Sequence, residues 1–88
     1  MPEITLTIRN RVGLHARPLS LFNDLVRRFQ ADVLISKGGQ PVNAKSPTKV
    51  LALAVHQGDE VTIRADGADA EAALAAIAQL VADNFGER

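Results

Sequence analysis

The apolar residues of this chain change period along its length, and that switching limits what it can fold into more than any other feature does. Ile4, Leu6 and Ile8 alternate with Thr5 and Thr7, a period of two that makes a strand with one buried and one wet face. Leu19, Phe22, Val26 and Phe29 then recur at spacings of three and four, with Leu25 beside them, as in a helix lying on a core. Val33 and Ile35 alternate with Asp32, Leu34 and Ser36. Gly38-Gly39 follows and supplies the positive φ angles of a tight hairpin, so Gln40 to Asn43 is expected to return as a short partner strand. Ser46 and Pro47 open a short helix to about Leu53, with Ser46 as N-cap and Pro47 where the first helical N–H lacks a partner in any case. Val61, Ile63 and Ala65 alternate with Thr62 and Arg64 as a fourth strand. In the final helix Leu74, Ile77, Ala78, Val81 and Phe85 share a face, while Asp69 and Glu71 place negative charge at its positive end.

The resulting order, β-α-β-β-α-β-α, predicts one α+β domain over residues 1–88. Each strand has a single apolar face, so an antiparallel sheet with helices on one side is the economical arrangement. A right-handed crossover through the first helix leaves a gap between the first two strands, into which the fourth can slot. The open side would then show Thr5, Thr7, Thr62 and Arg64. Ten basic side chains balance ten acidic ones, which argues against a nucleic-acid binder. An RNA-binding sandwich would also want aromatic platforms on the open sheet, whereas the chain has three Phe, on helix faces, and no Tyr or Trp. The absence of cysteine removes disulfides and thiolate metal sites and suits a reducing cytoplasm. The N-terminal residues lack the charged and apolar regions of a secretory signal. The last helix carries Asp69, Glu71, Gln79 and Asp83, so it is amphipathic, and no membrane insertion is expected.

Between the first strand and the first helix stands G-L-H-A-R-P, Gly13 to Pro18. Gly13 can break the strand, His15 falls at or just before the first helical turn, and Pro18 lies inside that turn, where its missing N–H does no harm. A helix N-terminus presents unpaired N–H groups and positive potential, an anion site. An imidazole there brings Nδ1 close to those groups, so a phosphoryl group on Nδ1 could accept hydrogen bonds from the backbone at Ala16 and Arg17. The Arg17 guanidinium could add a fork matched to phosphate oxygens. The same surroundings disfavour imidazolium and favour the neutral, nucleophilic ring. His56, the only other histidine, reads as a surface residue in a turn without a ligand partner, so no metal site is expected.

These residues resemble the histidine-containing phosphocarrier (HPr) family of the phosphoenolpyruvate-dependent sugar phosphotransferase system. The resemblance covers essentially the whole chain, through G-L-H-A-R-P, V-N-A-K-S at Val42 to Ser46, Q-G-D-E-V-T-I at Gln57 to Ile63 and G-A-D-A-E at Gly67 to Glu71. It implies an open-faced β-sandwich, four antiparallel strands in the order 1-4-2-3 with three helices on one face. It also implies a stoichiometric carrier, not an enzyme: His15 takes a phosphoryl group from enzyme I and passes it to a sugar-specific enzyme IIA, Arg17 stabilises it, and no cofactor takes part. A monomer in the cytoplasm is the expected form. The alternative is a purely regulatory binding module, an HPr-like protein acting through Ser46 or the carrier of a separate nitrogen-related phosphorelay, and the presence of His15 weighs against one that has lost transfer.

A carrier needs a shallow apolar docking surface. On the first helix Arg17, Ser20, Asp24 and Arg27 point away from the core, and Leu21, at the edge of the apolar arc, is expected to be substantially exposed. Around Ser46 the docking set is Pro47, Thr48, Lys49 and Leu51. In many family members the matching serine is a regulatory target of an ATP-dependent HPr serine kinase. Here Pro47 and Thr48 stand where bulky aliphatic or aromatic residues are usual, and Pro47 removes an N–H just after that serine.

Overall fold

The computed structural model describes residues 2–87. Four strands, β1 (Glu3–Thr7), β2 (Asp32–Ser36), β3 (Val42–Asn43) and β4 (Glu60–Asp66), alternate with α1 (Ala16–Val26), α2 (Pro47–Ala52) and α3 (Ala70–Ala82), and a 3-10 turn at Asn84–Gly86 follows. The sheet is antiparallel throughout, in the order β1-β4-β2-β3, so the fourth strand does fill the gap left by the crossover. The three helices cover one face and leave the other open.

Register shows why the sheet has two unlike faces. Ile4 pairs with Ile63 and Leu6 with Val61, while Ile35 pairs with Ile63 and Val33 with Ala65, so one face is continuously apolar. Phe22 and Val26 of α1, Val50 of α2, and Leu74, Ile77 and Val81 of α3 bury that face. On the open face the Thr5 and Thr62 hydroxyls meet at 3.1 Å, and Arg64 Nε lies 3.4 Å from Glu3 Oε1. Asp32 stands opposite Asp66, a like-charge pair that opposes strand pairing.

Three local expectations need correction. First, α1 stops at Val26, and Phe29 lies beyond it, half-buried. The Asp69 carboxylate accepts the N–H groups of Gln30 (2.9 Å) and Ala31 (2.8 Å), drawing the chain off the helix and towards β2. These bonds hold the Asp69 carboxyl below its ordinary value, the Gln30 amide contributing most. Asp69 therefore ties two segments together, and its side chain makes no capping bond to α3. Second, the β2–β3 connection spans residues 37–41, and only Gly38 of the two glycines has positive φ, at 72°, so the hairpin is not a two-residue turn. Third, Ser46 occupies the N-cap of α2, but its side chain makes no capping bond. Its backbone acts instead: its N–H donates to Asn43 O (3.1 Å) and its carbonyl accepts Val50 N–H (3.1 Å).

Candidate functional site

The loop from β1 to α1 is built from inside outward. Asn10 is buried, its Nδ2 donates to Gly13 O (2.8 Å) and Glu87 Oε2 (3.2 Å), and its own carbonyl accepts Gly13 N–H (3.3 Å). Gly13 takes φ +65°. A Cβ there would run into the Val55 carbonyl oxygen and come within 2.8 Å of His56 Cα, so glycine is required for close approach as well as for conformation. Leu14 then points inward, fully buried, while its N–H donates to Val55 O (3.1 Å). With Leu14 anchored, His15 stands at the N-cap of α1 in an extended conformation, φ −131° and ψ 157°. Ala16 follows at φ +53°, a left-handed alanine that costs on the order of 1–2 kcal/mol. Buried Leu14 before it and buried Pro18 after it hold that geometry.

The His15 ring is half-buried, and its Nδ1 lies 2.8 Å from Val12 O. A carbonyl only accepts, so this contact places the proton on Nδ1 and the lone pair on Nε2. For Nδ1 to act as nucleophile, the proton must sit on Nε2 and the ring must leave Val12. The amides of Ala16 and Arg17 belong to the first turn of α1 and have no partner within the helix. Arg17 is exposed, and among the described residues its guanidinium makes no hydrogen bond or ion pair.

Sequence reading set His56 aside, and the fold brings it to the site. Its ring centroid lies 5.2 Å from that of His15, with the planes inclined by 32°. Its backbone N–H donates to Asp59 Oδ2 (2.8 Å), the same oxygen lies 3.9 Å from His56 Nδ1, and Lys37 Nζ reaches it at 3.3 Å. The His56 amide is the main reason the Asp59 carboxyl lies below its ordinary value, with Lys37 adding to it. Lys37 Nζ also donates to Ala54 O (2.8 Å), so the turn is fixed from the β2–β3 loop as well. Some forty residues separate the two histidines, and no local pattern could have announced their meeting. Among the described residues no three His, Cys, Asp or Glu side chains gather as a metal site would need.

The candidate docking residues are accounted for one by one. Ser20, Asp24, Arg27, Pro47, Thr48 and Lys49 are exposed, and Leu51 is 47% exposed. Leu21 is not substantially exposed: it is half-buried against the core, because α1 is flanked by α2 on one side and α3 on the other. Val12, which sequence reading did not single out, is 47% exposed beside His15. Ser46 is half-buried, and its surroundings are tied to α1 by Asn23 Nδ2 donating to Lys45 O (2.9 Å) and by Lys45 Nζ donating to Phe29 O (2.9 Å). The buried Asn23 and Asn10 escape sequence reading because a lone asparagine in a helix or loop carries no sign of burial.

Against known proteins, the family described as "PTS HPr component phosphorylation site" matches residues 2–83. The chain belongs to the HPr family. It is 38% identical to phosphocarrier protein HPr of Xylella fastidiosa, over 99% of this chain and 98% of that protein. It is 44% identical to the phosphoryl donor subunit DhaM of the PEP-dependent dihydroxyacetone kinase of Pantoea ananatis, over 97% of this chain but only 18% of that longer protein. Among solved structures, HPr-C-His from Thermoanaerobacter tengcongensis superposes with a TM-score of 0.98 at 40% identity, covering 100% of this chain and 99% of that one. HPr proteins are phosphocarriers of the phosphotransferase system, and the open-faced sheet with its 1-4-2-3 order is their fold. No helix among the described residues is long and apolar enough to cross a membrane.

Proposed function

We propose that this HPr-family chain carries a phosphoryl group on His15, accepting it from phosphorylated enzyme I and donating it to an enzyme IIA in sugar uptake. The observation that carries this reading is the placement of His15 at the N-cap of α1, where the first-turn amides and positive helix end can receive an anion. In the transfer, the Nδ1 lone pair of His15 forms the N–P bond while the donor's N–P bond breaks and leaves its electron pair on the donor nitrogen. Before transfer the ring leaves Val12 and its proton passes through solvent from Nδ1 to Nε2, where it stays while the N–P bond forms. Ala16 and Arg17 N–H groups take the phosphoryl oxygens, with the Arg17 guanidinium as a second, mobile clamp. The partners' histidines are donor and acceptor, so the chain needs no general base, no metal and no cofactor: it turns over stoichiometrically and supplies position and charge. Ser20, Asp24, Arg27, Pro47, Thr48, Lys49 and Leu51 form the docking surface, and a phosphate on Ser46 from an HPr serine kinase would oppose an acidic partner there.

The test is incubation with enzyme I and phosphoenolpyruvate, followed by intact mass. An acid-labile phosphate on the parent, absent from His15→Ala, is expected. Absence in the parent, or retention in His15→Ala, overturns the reading. The similarity to DhaM supports a second acceptor class, a dihydroxyacetone kinase relay, which the same phosphoprotein distinguishes by the acceptor it discharges to.

A further inference from the structure

We infer that His56 belongs to the phosphoryl site, its cationic form stabilising the phosphoryl group carried on the neighbouring His15 ring. The inference rests on the reading of His15 as the phosphorylated residue and adds a group to it.

The two rings are neighbours at 5.2 Å, and the backbone between them is rigid on both sides. Leu14 is bonded to Val55, Gly13 admits the Val55–His56 backbone only because it lacks a side chain, and Lys37 and Asp59 clamp residues 54 and 56. These contacts fix the backbone from which the His56 ring projects, while the side chain itself stays 66% exposed and open to a group carried on His15. Among the described residues, the charged and titratable groups facing His56 are few. His15 comes from the α1 junction, Asp59 from its own turn and Lys37 from the β2–β3 loop, and Arg9 reaches the turn only through its carbonyl, which accepts from Gln57 (3.0 Å). The Asp59 carboxylate oxygen that His56 Nδ1 faces at 3.9 Å is shared with Lys37 Nζ at 3.3 Å, so the turn does not dedicate a counter-charge to the His56 ring.

Once His15 bears a phosphoryl group, one to two negative charges stand within several ångströms of the His56 ring. His56 then takes a proton from water, its Nδ1–H facing Asp59 and its Nε2–H remaining as a donor. With the phosphoryl group held about 5–8 Å from the neighbouring ring, near-aqueous screening lets a dianion move that titration by about one unit.

The experiment follows the His56 ring by NMR across pH, in the free protein and in protein phosphorylated with enzyme I and phosphoenolpyruvate. The hydrolysis rate of the phosphoprotein is measured for the parent and for His56→Phe, which keeps a ring but not a charge. The expected result is a His56 midpoint raised by about one unit on phosphorylation. Hydrolysis of the His56→Phe phosphoprotein should be several-fold faster than the parent's below the His56 midpoint and equal to it well above. An unmoved midpoint, or a His56→Phe effect independent of pH, in protein shown to carry phosphate on His15 overturns the role of His56 alone. Failure to phosphorylate His15 overturns both the carrier reading and this one. Should His56→Phe fail to fold, the midpoint shift in the parent decides by itself.

Discussion

Gly13 is the residue on which the site's geometry turns. Its positive φ ends the run out of β1, and its missing Cβ lets Val55 and His56 approach the hexapeptide. Gly13→Ala is expected to lose about 2–4 kcal/mol, since a left-handed alanine and a backbone collision are imposed together. Urea denaturation checks this, and a loss below about 0.5 kcal/mol would show that the 55–56 segment yields without cost. Ala16 bears the same left-handed geometry without glycine's freedom, so the residue after His15 is strained where the one before the hexapeptide's core anchor is relaxed. His15 itself was legible from its position before a helix. Its Nδ1 bond to Val12 was not, because a side-chain rotamer answers to the loop that surrounds it.

Among the elements, the helix and strand periods place β1, β2, β4 and α2 close to their observed limits, and the misses come at helix ends: α3 stops at Ala82, so Phe85, read as part of its apolar face, lies beyond it in the 3-10 turn at φ +55°, buried all the same. The helix pattern of α1 runs to Phe29, but a carboxylate 40 residues along captures the amides at 30 and 31. Because the folded state lowers the Asp69 value below 3.8, ionised Asp69 favours folding, and its contribution is present above that pH and lost as pH falls through the folded value. Asp69→Asn should thus be less thermostable than the parent near neutrality, with the gap narrowing in acid. Melting temperatures of both proteins across pH measure it, and a gap that is constant into strong acid would rule out this role for the charge.

On the scale of the whole molecule, stability and the proposed docking are separable because they are assigned to different residues. Leu14 and Leu51 are both leucines near the functional end of the chain, one 1% and the other 47% exposed. Leu14→Ala should cost about 2–5 kcal/mol by leaving a cavity in the core. Leu51→Ala should change stability by less than about 0.5 kcal/mol while slowing transfer from enzyme I, read as a raised KM for the carrier. Equal losses of stability in the two variants would show that Leu51 is packed in solution. An unchanged KM would remove it from the docking surface.

The element order, the apolar face of each strand, the antiparallel sheet and the histidine at a helix start are all legible in the residue pattern. Periodicity and chain chemistry are local, so they survive without knowledge of the fold. It takes the packed fold to make Leu21 half-buried, to have Ser46 cap through its backbone, and to turn Asn10 and Asn23 into buried ties. The same packing sets His56 beside His15, because that contact depends on a turn docking against a loop some forty residues away.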